Sequence, residues 1–495
     1  MSSIYLTKAI HEILPFEVIS HTFTYIDPND PENGLLPMKL SLVCSTWRDI
    51  ALATARVWTR VHVQIPKSTV TKELLESIKK WIVRSRRLPC RLYLEFSLRR
   101  SNELPLTFLS DFIGPIASRL EALSLRVPAR FLNGFFEINP FEFPLLESFT
   151  LKFPTDDNSP LIPLTSLPPT AFSASVSLQR LDLSTGTSRL GLFTPQTVFP
   201  WHTLTYLKIN DLSISAYDAL DVFCLSTNLV HCELTMPGWR TEDFANGVGI
   251  NIRPSPSGSS PYQPLCIHPD LQVLRLDVSC GVIEPFFSRL SLPKLQDLRI
   301  TMRSGFGWED LDIALRDFCS RRPIQGLKRF EVYGISLKGN SGTEPIFQFL
   351  SRNPAIETLR LEHCGVFNHD FMTKFIAKPR NKFLPKLKHI YVVDTYQGDY
   401  YHGMEREQEF VDRYERHDWT NDQTILSVLQ SRSVKPGARS GRTRTAALER
   451  AAFSHGPTYS TNFQSESKKL QRSGLRLSIL ENSQQVEEGT DGWLI

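Results

Sequence analysis

Side chains able to do chemistry are scattered along this chain, and none of their spacings forms a reactive group. Eight cysteines stand singly at Cys44, Cys90, Cys224, Cys232, Cys266, Cys280, Cys319 and Cys364. No two have the C-x2-C spacing of a zinc site or a thiol redox pair. Most lie among apolar residues and read as buried free thiols of a reducing compartment. His363-Cys364 followed by His369-Asp370 comes nearest to a metal cluster, but its spacing fits no standard zinc site and reads as loop residues around a strand. There is no glycine-rich phosphate loop, G-x-S-x-G elbow or H-E-x-x-H helix, and Gly34, Gly186 and Gly191 are isolated turn glycines. The expectation is a protein that is not an enzyme, needs no cofactor or metal, and works by binding.

Composition narrows the class. The chain has 495 residues, enough for two to four domains, with 41% hydrophobic and 22% charged residues and a net charge of +4. That charge is too mild to argue for a nucleic-acid partner. His11 and Glu12 interrupt the apolar run at the N-terminus, and no stretch is long and apolar enough for a membrane span. These features point to the cytoplasm, the nucleus or both, with no membrane partner.

The binding chemistry concentrates between Leu14 and Trp58. Pro15 stands where a first helical turn begins, and Glu17 suits the positive end of a helix dipole. Val18, Ile19, Phe23 and Ile26 follow at helical spacing. Asp27 to Pro37 reads as a loop. A second helical face then carries Leu40, Val43, Cys44, Trp47, Ile50 and Ala51. So small a bundle holds more apolar surface than it can bury internally, and an exposed apolar face implies a partner.

The Leu14-Pro15 opening, the Leu42-Val43-Cys44-x-x-Trp47 centre and the closing Trp58 resemble an F-box, with a somewhat long loop between the helices. The resemblance implies a substrate-receptor subunit of an SCF-type ubiquitin ligase. It places Leu14, Pro15, Val18, Ile19, Phe23, Leu42, Val43, Cys44 and Trp47 on or behind the surface that meets a Skp1-like adaptor, and through it a cullin. Trp58 would close the module. The order that follows is strand Val61–Ile65, a helix with Trp81-Ile82-x-Arg84-Ser85, then Leu88-Pro89 and a strand from Arg91 to Leu98. With the F-box before it, this order is similar to F-box proteins of mushroom-forming fungi. The Thr71 to Arg87 helix has Leu74, Leu75, Ile78, Trp81 and Ile82 on one face, which suggests a stiff joint rather than a loose linker.

Beyond it one pattern repeats: Leu, two variable residues, apolar, variable, apolar. Ten copies begin at Leu120, Leu146, Leu178, Leu204, Leu229, Leu271, Leu295, Leu327, Ile356 and Leu387. Their spacing runs from 24 residues (Leu271 to Leu295) to 42 (Leu229 to Leu271), at or beyond the leucine-rich-repeat range. Each sextet reads as a short strand, joined to the next parallel strand by a helical or extended return. Helical returns are expected at Tyr217–Leu225, Asp310–Ser320 and Thr343–Ser351. Most copies lack the Asn or Cys that regular repeats place after the strand, with Asn210 and Cys364 as partial echoes, so the solenoid should be irregular.

The 247–264 stretch, rich in Pro and Ser, reads as a flexible insertion. After Thr395 the repeat should stop. A charged extension with a helix from Asp422 to Leu429 should follow. From Ser431 to Leu470 there are eight Lys or Arg against two Glu, which reads as a disordered basic tail, solvated or available for nuclear targeting or phosphate contact. The expected organisation is α/β: an F-box over 1–63, an irregular leucine-rich-repeat solenoid over 64–398, a charged extension over 399–430 and a mostly disordered tail over 431–495. The repeats would hold a protein substrate of unknown identity. The alternative is a repeat scaffold that binds proteins without ubiquitin transfer.

Overall fold

A computed structural model describes residues 13–25, 36–65, 72–96, 107–128, 131–132, 135, 143–153, 172, 175–186, 199–211, 216–236, 266–279, 283–287, 289–302, 311, 314–315, 318, 324, 326–334, 344–364, 369–377, 383–393, 422–433, 446–454 and 460–480. The chain divides into two units, Met1–Leu229 and Val230–Ile495. The expected insertion at 247–264 and the charged stretch at 403–416 lie outside the described residues.

Three short helices of the first unit are described near its start: α1 (Phe16–Phe23), α2 (Leu36–Ser41) and α3 (Ser45–Ala53). Pro15 starts α1, and its carbonyl accepts from the Val18 and Ile19 amides at 3.1 and 3.2 Å. The single helical face read from Leu40 to Ala51 is in fact two helices. Cys44 is extended (φ −159°) and caps α3, its Sγ accepting from the Trp47 amide at 3.4 Å. This break turns Leu42 and Val43 outward. Pro37, read as loop, sits in the first turn of α2, where its missing N–H costs nothing.

A 3-10 turn (Ala55–Trp58) leads into β1 (Arg60–Ile65), α4 (Lys72–Arg84) and β2 (Cys90–Phe96). After α5 (Phe108–Ile113) come β3 (Leu120–Arg126), β4 (Ser148–Lys152), β5 (Arg180–Gly186), β6 (Tyr206–Asp211) and α6 (Ala216–Leu225). The six strands pair in parallel in chain order. Their register stacks the sextets: Leu123, Phe149, Leu181 and Leu207 form one buried row, and Leu125, Leu151, Leu183 and Ile209 the next. Behind these rows Phe172 packs on Phe143, Phe149 and Phe199 with ring centroids 5.5, 5.0 and 5.1 Å apart.

The second unit repeats the plan with β7 (His231–Met236), β8 (Cys266–Ile267), β9 (Val273–Val278), α7 (Glu284–Phe287), β10 (Leu290–Ser291) and β11 (Asp297–Met302). It continues through β12 (Arg329–Tyr333), α8 (Glu344–Arg352), β13 (Thr358–Glu362), α9 (His369–Lys374) and β14 (His389–Val393). β8 and β10 form a small ladder of their own, and the remaining strands pair in parallel, neighbour to neighbour. All ten sextets coincide with strands, and each leading Leu or Ile is fully buried. The helices at 216–225 and 344–352 match the expected returns. Of the third, Leu311, Ala314, Leu315 and Phe318 are helical and buried. Four rings, Phe347, Phe371, Phe375 and Phe383, close the helical side with centroids 5.0 to 5.7 Å apart.

Pairing does not stop at Thr395, and the tail is not disordered over 446–454 or 460–480. α10 (Asp422–Ser431), β15 (Arg450–Ser454), α11 (Thr461–Arg472) and β16 (Arg476–Leu480) follow, and β14, β15 and β16 pair in parallel. Leu448, Ala451 and Phe453 are an eleventh copy of the sextet, with Ala at the fourth position. The basic composition of the surrounding stretch conceals it. Arg432, one of the eight cations counted as tail, is buried. Its guanidinium donates to the carbonyls of Phe375, Phe383 and Leu384 at 2.8, 2.7 and 3.0 Å, and burial pulls its pKa down to about 10.

Two outcomes check this unit. Phe453→Ala should cost roughly 3–5 kcal/mol in urea unfolding as a core truncation; a disordered tail would show no change. Arg432→Ala should destabilise by at least about 2 kcal/mol, because three buried carbonyls lose their donors together.

Candidate functional site

The first three helices bury a small core of Ile19, Phe23, Leu40, Ile50 and Ala51, with Leu36, Trp47 and Val57 against it. The Phe23 and Trp47 rings lie 5.1 Å apart. Polar ties fix the helices to one another. Arg48 Nε donates to the Ser41 carbonyl at 2.9 Å, linking α3 to α2. The Thr54 hydroxyl donates to the Ile50 carbonyl, which leaves the Ser20 hydroxyl of α1 to donate to Thr54 Oγ1, each at 2.7 Å.

That core uses only part of the apolar inventory. Leu42 is 78% exposed and Val43 59%, and Leu14 and Val18 are 38% and 45% exposed. Pro15 is exposed beside them, and Cys44 is half-buried as a cap. The nine site residues therefore divide. Leu14, Pro15, Val18, Leu42 and Val43 form an outward apolar set. Ile19 and Phe23 are core, and Cys44 and Trp47 hold the helices that present it. Sequence reasoning missed Ile13, Phe16 and Met38, which are also exposed and apolar. Ile13 and Phe16 directly flank Leu14-Pro15, so an apolar face wider than one helical stripe was the available signal.

Residues 11–64 match the F-box-like family model. No curated protein matches the chain. The F-box-like module thus coincides with the helices that leave apolar side chains in solvent, and F-box domains typically bind a Skp1 adaptor.

The module is bolted to the sheet beyond it. Trp58 is fully buried, and its indole N–H donates to the Ala51 carbonyl at 2.7 Å. Its ring meets Trp81 of α4 edge-on at 5.2 Å and lies under the Arg84 guanidinium at 4.6 Å. β1 begins two residues later, so F-box-like helices, α4 and β1 share one packed joint.

Of His363, Cys364, His369 and Asp370, Cys364 and His369 make side-chain contacts within the fold. The Cys364 thiol donates to the Glu362 and Val332 carbonyls at 3.1 and 3.5 Å and so ties down backbone just after the strand. Asn210, the other echo, is exposed. His369 Nδ1 lies 2.9 Å from the Thr424 hydroxyl. Among the described residues no group of three or more His, Cys, Asp or Glu is placed to hold a metal ion, and no helix is long and apolar enough to cross a membrane.

The two tryptophans of the joint should respond differently. Trp58→Phe should cost about 1 kcal/mol or more, because the buried Ala51 carbonyl loses its donor. Trp81→Phe should be near neutral, since the Trp81 indole N–H is buried without a partner among the described residues and its ring contact survives. Thermal melts of the two variants compare them directly.

Proposed function

We propose that this chain is the substrate-receptor subunit of an SCF-type ubiquitin ligase. The observation that carries the reading is the outward apolar set of Leu14, Pro15, Val18, Leu42 and Val43 on a module that matches the F-box-like family model. Apolar side chains kept in water and concentrated on one small module mark an interface. A Skp1-like adaptor covers them and brings a cullin with it.

The parallel strands and their returns act as an irregular leucine-rich-repeat solenoid, and its strand face holds a protein substrate. The chain performs no bond chemistry itself and uses no cofactor. Its contribution is effective concentration: a bound substrate's lysines stay near the charged carrier enzyme that another subunit delivers. The Trp58–Trp81–Arg84 joint supports this, because a receptor that positions its cargo gains from a rigid connection between adaptor site and cargo site. The reading places the protein in the cytoplasm, the nucleus or both.

Co-purification tests it. Full-length chain should retain a Skp1-like adaptor and, through it, cullin; failure to retain either removes the proposal. Leu42→Glu with Val43→Glu should reduce adaptor retention by at least about a hundredfold, since two charges would be carried into an apolar contact. The melting temperature should stay within a few degrees of the parent, because both positions are exposed. Ile19→Ala should lose the adaptor by a different route, unfolding the module.

A further inference from the structure

The strand face of the first unit carries a chemical bias that names a class of cargo, and this inference rests on the receptor reading above. Alternation along β1 to β6 sends one set of side chains to the core and the other outward. The outward set contains six cations: Arg60, Arg91, Arg126, Lys152, Arg180 and Lys208. Among the described side chains, two carboxylates, Glu95 and Asp182, share that face. Glu121 and Glu147 stand at its entrance, so the region stays net positive even with both counted.

The cations are held in ways a ligand can use. Glu121 grips Arg91 with two hydrogen bonds, at 2.8 and 3.1 Å, and that grip holds the Glu121 carboxyl below its ordinary range. Arg126 meets Glu95 at 2.9 Å and Lys152 meets Asp182 at 3.7 Å, both cations half in solvent. Exposed pairs of this kind contribute little and exchange readily. Between them the floor is low: β3 and β4 offer Ala122, Ser124, Ser148 and Thr150, all half-buried and small. Aromatic walls flank it, Tyr93 beside His62 at 6.1 Å and Tyr206 under the Arg180 guanidinium at 3.8 Å.

The second unit lacks this bias. Six arginines on the outward positions of its strands meet five carboxylates. Glu331 and Glu362 are themselves buried, and Arg360 is bound to Glu362 at 2.6 Å.

We propose that the first unit's strand face holds an extended acidic segment of the substrate protein. The segment lies over the small-residue floor of β3 and β4. Its carboxylates meet Arg126, Lys152 and Arg180, and Tyr93 and Tyr206 bracket its path. Complementary charge of this kind chiefly speeds encounter and sets specificity.

The test uses full-length chain and a fluorescein-labelled peptide of alternating Glu and Ser, about 12 residues long, which comfortably spans six strands. Anisotropy should show saturable binding that weakens at least about tenfold when salt rises to about 0.5 M. The matching Lys/Ser peptide should not bind. Lys152→Glu with Arg180→Glu should weaken acidic-peptide binding about tenfold or more, with an unchanged melting temperature and unchanged adaptor retention. Absence of acidic-peptide binding overturns the proposal, as does equal binding by the double variant. A single-stranded oligonucleotide of similar length that binds more tightly, and loses binding in the double variant, also overturns it by making the face a nucleic-acid site. Loss of adaptor retention with peptide binding intact would refute the receptor reading and leave the acidic-segment site standing.

Discussion

Parallel strands cannot be joined by tight turns, so each strand is entered from the same end after a crossover of a dozen or more residues. Nothing in the crossover itself holds the next strand in register. Here the register comes from three apolar side chains per strand: a leading Leu that turns in just before it, and two residues that alternate inward along it. Leu295, Leu298 and Ile300 against Leu327, Phe330 and Val332 show the unit of contact, with Leu298 opposite Phe330 and Ile300 opposite Val332. A slip of one residue would turn the whole set to solvent, so register and burial are one constraint. That constraint tolerates returns of very unequal length, because it acts at the strand and not along the crossover. Where a turn needs more, the chain supplies it locally: Gly334 takes φ +77° where a Cβ would lie 2.2 Å from the Met302 carbonyl.

The same alternation frees the other half of each strand from any duty to the core. In the first unit those positions carry an excess of cations over a floor of small residues. In the second they carry arginines and carboxylates in near balance, among them the Arg275–Glu233 and Arg360–Glu362 pairs. Burial drives the Tyr333 hydroxyl's pKa upward, and Arg299 and Arg360 stack on that ring at 4.4 and 5.3 Å. One backbone plan thus yields two chemically different faces. The F-box-like helices obey the opposite rule. They are too few to bury their own apolar residues, and the surplus becomes the contact surface.

Much of this was legible in the residues. The sextets mark their own strands because three apolar positions at fixed offsets serve one geometry. The helix of 72–84 and the strand of 90–96 are readable for the same reason. The eleventh copy, Leu448-Glu-Arg-Ala-Ala-Phe453, was obscured because Ala451 is a weak apolar signal and the arginines around it dominate the composition. Arg432 counts as a solvated charge in any composition window, yet three carbonyls receive it in the interior. Spacing also failed at Val43. Its place on a helical face with Leu40 and Ile50 assumed an unbroken helix, and Cys44 breaks it.

By itself the sequence determined the first two strands and those of the ten sextets, that a helical module resembling an F-box precedes them, and which residues supply apolar surface. It could do so because burial requires apolar side chains at the period of the local structure, and period is written along the chain. Only the tertiary structure decided how that surface divides between core and solvent. Ile19 and Phe23 turn inward while Leu14, Val18, Leu42 and Val43 stay out, and nothing in their residue types distinguishes the two sets. It also decided which charges stand together, since parallel register brings residues some thirty positions apart into neighbouring rows. Neighbourhood across a ladder is a property of pairing, and pairing is not local in sequence.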